Sequence, residues 1–325
     1  MAAFLFSRLL QGLLVLFVMS LLVFTSVFAI GNPVDVLIAA EATQEDREAM
    51  ILRLGLDQPL VVQYFIFLKG LLSGDGGRSF AHDVPAVSLI AARFPATLEL
   101  ALVAMVMAVT AGLPLGLIAA MRPRSWIARM ALGYSTLGFS VPTFGVAITL
   151  ILVFAVGLGW LPSSGRGPVT QVLGFPTSLA TAAGWQYIAL PATTLAIFKI
   201  ALLIRIVHAS TREVIAADFV RFARAKGVPD GRVNTHHVLR NSLIPVVTVL
   251  ALEFGGLLAF AVVTETIFAW PGVGRLLLES ITLLDRPVIV AYLMATVLVF
   301  VTINFIVDAL YAVLDPRVRV AGSDR

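Results

Sequence analysis

Five ionisable side chains stand inside otherwise apolar stretches of this sequence: Glu99, Lys199, Glu253, Glu265 and Asp308. Charge inside a bilayer is expensive, so each is a candidate for a transport route or for ion pairing. Glu253 is mid-run beside Gly255-Gly256 and is the best candidate to line a pathway; a salt bridge with another subunit is the competing reading. Glu99 lies near the end of its run, where an interfacial role competes, and Glu265 and Asp308 stand where capping or packing would explain them equally well. Lys199 is close enough to the end of its run to snorkel toward water. Cysteine is absent, and the four histidines, His82, His208, His236 and His237, do not form a ligand set. No disulfide, iron–sulfur cluster or metal centre is therefore expected. No Walker-type glycine loop occurs, so ATP hydrolysis, and enzymatic activity generally, is not expected of this chain.

The composition says where these residues must sit. Of 325 residues, 59% are hydrophobic and 13% charged, against about 25% charged in a soluble domain. That is the make-up of an all-α, polytopic membrane protein. Six apolar runs follow one another: Leu9–Ile30, Ala96–Ala120, Ala131–Val156, Tyr187–Val207, Leu243–Phe268 and Val288–Leu314. The first has 22 residues, longer than the roughly 7–15 of a signal-peptide core, and is expected to stay as a span. The expected organisation is residues 1–30 as N-terminus and first span, 31–95 as a helical cap outside the membrane, 96–314 as a core of five spans, and 315–325 as a tail. In the cap, Thr43 followed by Gln44-Glu45-Asp46 reads as a helix start, with Gly55 as its stop. Asp57 and Pro59 open a second cap helix, and Val84 to Phe94 suggests a third that ends at Pro95. By alternation, 14 of the 23 Lys and Arg residues fall on the side of Arg8, Arg122–Arg129, Arg205–Arg240 and Arg317–Arg325. The positive-inside bias makes that side the cytoplasm and places both termini there. Trp160, Trp185 and Trp270 then lie near outer span ends, as interfacial aromatics.

One cytoplasmic stretch, residues 213–245, is too polar for lipid yet patterned. Thr211 onward reads as a helix with Glu213 near its start, where the macrodipole favours an acid. Phe219, Phe222, Ala223 and Lys226 mark one face, and Gly227 permits a reversal at positive φ. Pro229 blocks the same helix and can begin another. Small Ala223 and Ala225 allow close backbone approach, while Arg221, Arg224 and Lys226 offer charge to a partner. A plain topological loop competes with this reading, but such a loop does not need an Ala-x-Ala-x-Gly turn followed by Leu243-Ile-Pro245.

Those residues carry a resemblance. Asp218-Phe-Val-Arg-Phe-Ala-Arg-Ala-Lys-Gly227 with His237-Val-Leu-Arg-Asn-Ser-Leu-Ile-Pro245 is similar to the EAA loop of ABC importer membrane subunits, in the dipeptide and oligopeptide permease branch. Gly31-Asn-Pro33, Leu54-Gly-Leu-Asp-Gln-Pro59, Phe94-Pro-Ala-Thr-Leu-Glu-Leu100, Leu161-Pro-Ser-Ser-Gly165, Thr264-Glu-Thr-Ile-Phe-Ala-Trp-Pro-Gly-Val-Gly274 and Asp308-Ala-Leu-Tyr-Ala-Val-Leu-Asp-Pro-Arg317 agree, in the family's order. Asn32 and Phe222 depart from the usual residues, as does Gly74-Asp-Gly-Gly77. The resemblance implies the type I importer permease fold and a multi-pass place in a bacterial inner membrane. It implies a homologous second permease, two cytoplasmic ATPases that hold the ATP and Mg²⁺, and an extracytoplasmic binding protein. No cofactor would be bound by this chain, and no nucleic acid is expected. Glu213, Asp218, Arg221, Ala223, Arg224, Ala225, Lys226, Gly227 and Pro245 become the expected ATPase-coupling residues, with Glu253, Glu265 and Glu99 as pathway candidates. Short peptides are the expected substrate; a nickel chelate, glutathione, haem or an oligosaccharide is the alternative on the same scaffold. A secondary transporter without ATPases is the rival class, and it predicts internal repeats, of which none is clear.

Overall fold

The computed structural model describes residues 2–28, 34, 43–53, 55–74, 76–138 and 140–314. The Gly31-Asn-Pro33 motif and the 315–325 tail lie outside them. The chain forms two compact units, Met1–Thr97 with Pro271–Arg325, and Leu98–Trp270. The last two helices thus group with the first span and the cap rather than with the middle spans.

In the first unit, α1 (Ala2–Phe28) runs antiparallel to the final helix, Arg286–Leu314. Val23 packs with Ile289, Val290 and Met294 near one end, and Arg8 Nε meets Asp308 Oδ2 at 3.1 Å near the other. Asp308 is therefore an ion-pair partner of the N-terminal helix. The cap begins with α2 (Gln44–Arg53). Asp46 N–H donates to Thr43 Oγ1 at 3.2 Å, and Thr43 N–H donates to Asp46 Oδ2 at 3.0 Å. This reciprocal cap holds the Asp46 carboxyl below its usual range, mainly through the Thr43 hydroxyl. A lowered folded value means the cap is kept at neutral pH and lost only in acid. Helix α3 (Leu60–Leu72) begins after Pro59 and clips onto α1 through Tyr64, whose hydroxyl lies 2.8 Å from Ser20 Oγ. A buried carboxylate fastens the next loop: Asp285 accepts from Ser79 Oγ at 2.5 Å and from Phe80 N–H at 3.0 Å.

The third cap helix and the second span are one element. Helix α4 (Ala86–Met121) passes straight through Pro95 instead of restarting at Ala96. An internal proline costs about 3 kcal/mol. Buried residues on both sides of it, Ala86 and Ile90 before and Leu100, Ala101 and Ala104 after, hold the helix together.

In the second unit, Ser125 caps α5 (Trp126–Leu137) by accepting from Ala128 N–H at 3.1 Å. Helix α6 (Thr143–Leu150) starts after Pro142 and continues as a π-helix over Ile151–Gly157. The expected third span, Ala131–Val156, is therefore broken between α5 and α6. Among the described residues five helices are long and apolar enough to cross a membrane, Phe6–Ser26, Ala86–Met121, Ala182–Ala216, Asp230–Ala259 and Arg286–Ala309, while Thr143–Gly157 is shorter. The loop after α6 holds a small hairpin, β1 (Thr170–Val172) and β2 (Phe175–Thr177), in register Thr170↔Thr177. Its turn residues Leu173 and Gly174 both have positive φ, as a type I′ hairpin turn requires. Then come α7 (Ala182–Ala216), α8 (Asp218–Ala225), a short α9 (Asp230–Arg232), a π-helical turn over Val233–Leu239, α10 (Arg240–Phe260) and α11 (Val262–Ile267). The first unit ends with α12 (Val273–Thr282) and α13, the Arg286–Leu314 helix.

Helices α4 and α7 meet on glycines four apart, a spacing that lets membrane helices approach closely. A Cβ added at Gly112 would lie 2.8 Å from Leu203 Cβ, and one at Gly116 would lie 2.7 Å from Val207 Cβ. Gly116→Val should destabilise the purified protein by about 1–3 kcal/mol, the range for overpacking. Gly133→Ala, inside α5 where the added atom meets nothing within 4 Å, should keep or raise the thermal midpoint, since Ala favours a helix over Gly by about 1 kcal/mol. Equal midpoints for the two variants would refute close α4–α7 packing.

Candidate functional site

The 213–245 segment folds as two helices around a turn, and its boundary differs from the expected one. Helix α7 extends through Ala216, so Glu213 is exposed in the last turn of that helix and not at the start of a new one. Val214 and Ile215 explain this, because they pack on the core of the segment and hold the last turn in place. Ala217 breaks the helix with an extended backbone, and Asp218 supplies the acid in the first turn of α8.

Helix α8 has an inner and an outer face. Val220 and Ala223 turn inward against Val233 and Val238 of the π-helical turn. Ala223 therefore belongs to the sealed face, not to the face of Phe219 and Phe222 as its spacing suggested. Phe219 and Phe222 remain 47% and 62% exposed, and Lys226 Nζ lies 4.6 Å from the Phe222 ring centre. Arg221 faces Asp218 at 3.6 Å, and Arg224 faces Asp230 at 3.7 Å. Such exposed pairs contribute little stability, so the guanidinium groups stay available. Ala225 is exposed.

The turn after α8 is a full Schellman closure. Gly227 has φ +76, its N–H donates to Arg224 O at 2.9 Å, and Val228 N–H donates to Ala223 O at 3.2 Å. Pro229 then leads the next short helix. Pro245 is exposed within α10. Ser210 Oγ donates to Ser242 O at 2.9 Å, tying the end of α7 to the start of α10. The segment is thus one small apolar knot fixed to the ends of two long helices.

The membrane acids fall into two kinds. Glu99 is saturated: Arg166 Nη2 donates to Oε2 at 2.5 Å, and the backbone N–H and hydroxyl of Ser178 both reach the same carboxylate. The side chains of this pair are 4% and 9% exposed. Arg166 also donates to Pro176 O at 2.8 Å and stands 5.9 Å from the Trp270 ring centre. Trp270 is therefore wholly buried, not interfacial, whereas Trp160 and Trp185 are exposed. Glu265 is likewise fully buried. Glu253 is different: it pairs with Lys199, which accordingly does not snorkel, and their side chains stay 30% and 21% exposed.

The sequence did not reveal Arg166 and Ser178 as the partners of Glu99, which lie 67 and 79 positions away. The one available signal was that Arg166 is the sole charge in a loop of Gly, Ser and Pro.

Comparison with known proteins agrees over most of the chain. The family model described as "Binding-protein-dependent transport system inner membrane component" matches residues 112–320. The model for the N-terminal part of the same kind of membrane component matches residues 1–101. The chain is 39% identical over 320 residues to the glutathione transport system permease protein GsiC of Escherichia coli (strain K12), covering 98% of this chain and 99% of that one. GsiC of Shigella boydii serotype 4 is 38% identical with the same coverage. A solved structure of the MetNI methionine ABC transporter in inward-facing conformations is similar in fold, with a TM-score of 0.52 and 17% identity over 71% of this chain and 98% of that chain.

Breaking a buried pair from one side leaves an uncompensated charge, at roughly 3–5 kcal/mol. Arg166→Met should therefore lower the thermal midpoint of the purified protein much more than the double variant Glu99→Gln with Arg166→Met. Additive losses would show that the two groups are not coupled.

Proposed function

This chain belongs to the inner-membrane components of binding-protein-dependent transport systems, the non-catalytic permease subunits of ABC importers, and we propose that it forms half of a translocation pathway for short peptides. The homologous second permease completes the pathway, two ATPases dock on the cytoplasmic side, and an extracytoplasmic binding protein delivers the solute. ATP and Mg²⁺ are held by the ATPases, and this chain binds no cofactor of its own. Both termini lie in the cytoplasm, on the side favoured by the Lys and Arg bias.

The outer face of α8 carries this reading. Phe219 and Phe222 stand exposed beside Arg221 and Lys226, on a helix whose other face is sealed. Two apolar rings with cations around them suit a groove on a protein partner better than water. Closure of the ATPase pair would push this helix, and the Ser210–Ser242 tie would pass the motion to α7 and α10. A secondary transporter would have no partner for that face.

Short peptides are supported by the branch resemblance, and relatives with 39% identity are named for glutathione, itself a tripeptide. Glutathione is thus the first solute to test. Of the three pathway candidates, Glu253, which keeps a partly exposed side chain, is favoured over the buried Glu99 and Glu265.

Phe222→Asp in the assembled transporter should abolish co-purification of the ATPases or cut uptake by at least about tenfold. Gly227→Val forces a β-branched side chain to φ +76, a strain of roughly 1–2 kcal/mol, and should lower uptake while the chain still reaches the membrane. If the chain purifies stably without any ATPase and both variants import at the normal rate, the coupling role is wrong.

A further inference from the structure

Two acid–base pairs lie among the helices of the second unit, and they differ in what they leave over. The Glu99–Arg166 pair is shut away from the surface: both carboxylate oxygens are bonded within the chain, and the one unpartnered donor, Arg166 Nε, is itself buried. The Lys199–Glu253 pair is not. One ammonium proton of Lys199 reaches Glu253 Oε2. Among the described residues no other hydrogen bond is made by either group. Two donors and one carboxylate oxygen are therefore spare, on side chains 21% and 30% exposed.

Depth makes that surplus informative. Lys199 is twelve residues from Tyr187 and eight from Val207, the ends of its apolar run (199 − 187 and 207 − 199), or about 18 and 12 Å from them. A charge turned toward lipid at such a depth costs roughly 2.5–3.5 kcal/mol, and lipid can fill none of the spare valences. The exposed side must meet water or polar groups. The cavity beside the pair is about 10 Å³, lined by Leu202, Leu203, Val246 and Leu250, with room for no more than one water. Anything larger must approach from the open side. The helices that carry the pair are also the two that the 213–245 segment joins.

We propose that the Lys199–Glu253 pair lines the translocation route and reads the termini of the passing solute. The free oxygen of Glu253 accepts from the ammonium of a short peptide, and Lys199 donates to its carboxylate. An ion pair is neutral overall, so it admits a zwitterion without burying net charge, and it disfavours a peptide blocked at either end. This proposal rests on the short-peptide function proposed above.

The complete transporter, reconstituted with its binding protein, tests it with dialanine and S-methylglutathione as probes. If the unaltered complex imports neither probe, the short-peptide function fails, and this proposal with it. If it imports a probe, Glu253→Gln should cut that uptake by about tenfold, the loss of one hydrogen bond to a charged group. The charge exchange Lys199→Glu with Glu253→Lys should stay impaired, because the termini now meet the wrong charges. Recovery of normal uptake by the exchange would reduce the pair to a structural link and overturn the proposal. A second readout does not depend on the exchange variant folding. The chain has no cysteine, so Glu253→Cys introduces a single thiol. A charged, membrane-impermeant thiosulfonate should label it during ATP turnover, and the imported probe should slow the labelling. Labelling only by a lipid-soluble reagent, or labelling indifferent to the probe, would place the pair off the route.

Discussion

Hydrocarbon offers no hydrogen-bond partner, so each polar group carried into a bilayer must find one within protein or water. The backbone meets this demand as long helices. At Pro95, which has no N–H to give, α4 stays continuous because buried residues on both sides hold it. The side chains meet the demand in two ways. Glu99 is enclosed by Arg166 and Ser178, and Arg166 brings Trp270 into the interior with it. Lys199 and Glu253 satisfy each other only in part and leave an opening. One constraint thus separates a buried ion pair from a partly exposed one.

The same demand ends at the polar segment, where water is available and packing takes over. Val220, Ala223, Val233 and Val238 form a core small enough to be carried by one turn of helix and one π-helical turn. The Schellman closure at Gly227 removes the freedom of the chain between them. A knot this short cannot bury all of its apolar side chains, and Phe219 and Phe222 are what remain outside. The π-helical geometry of Val233–Leu239 admits an extra residue per turn, a feature frequent at functional positions.

Membership of the importer permeases therefore fits the physical reading at two levels. The apolar passages and the broken third one build a membrane scaffold. The proposed coupling role fits the polar segment, because the long helices α7 and α10 both end in it. Of the acids in the apolar passages of the second unit, Glu99 and Glu265 are buried, while the Glu253 side chain keeps 30% of its exposure.

The sequence by itself determined the six apolar passages, the position of the polar segment, the cap begun by Thr43 and the reversal at Gly227. Each depends on local composition, helical period or one residue's allowed φ, and so can be read without knowing the fold. It misplaced Glu213, because burial of Val214 and Ile215 extends α7 beyond its apolar run. It placed Ala223 on the wrong face and Trp270 at an interface for the same kind of reason: neighbours distant in sequence decide which side is covered. The passage from Ala131 to Val156 was expected unbroken although Gly138 and Pro142 are helix-stop residues, and the structure breaks it there with Gly138 against Ala201. The tertiary structure alone decided the fate of the membrane charges. Glu99 meets Arg166 across 67 positions and Lys199 meets Glu253 across 54, and only the packing of helices brings such partners together, one pair sealed and the other open.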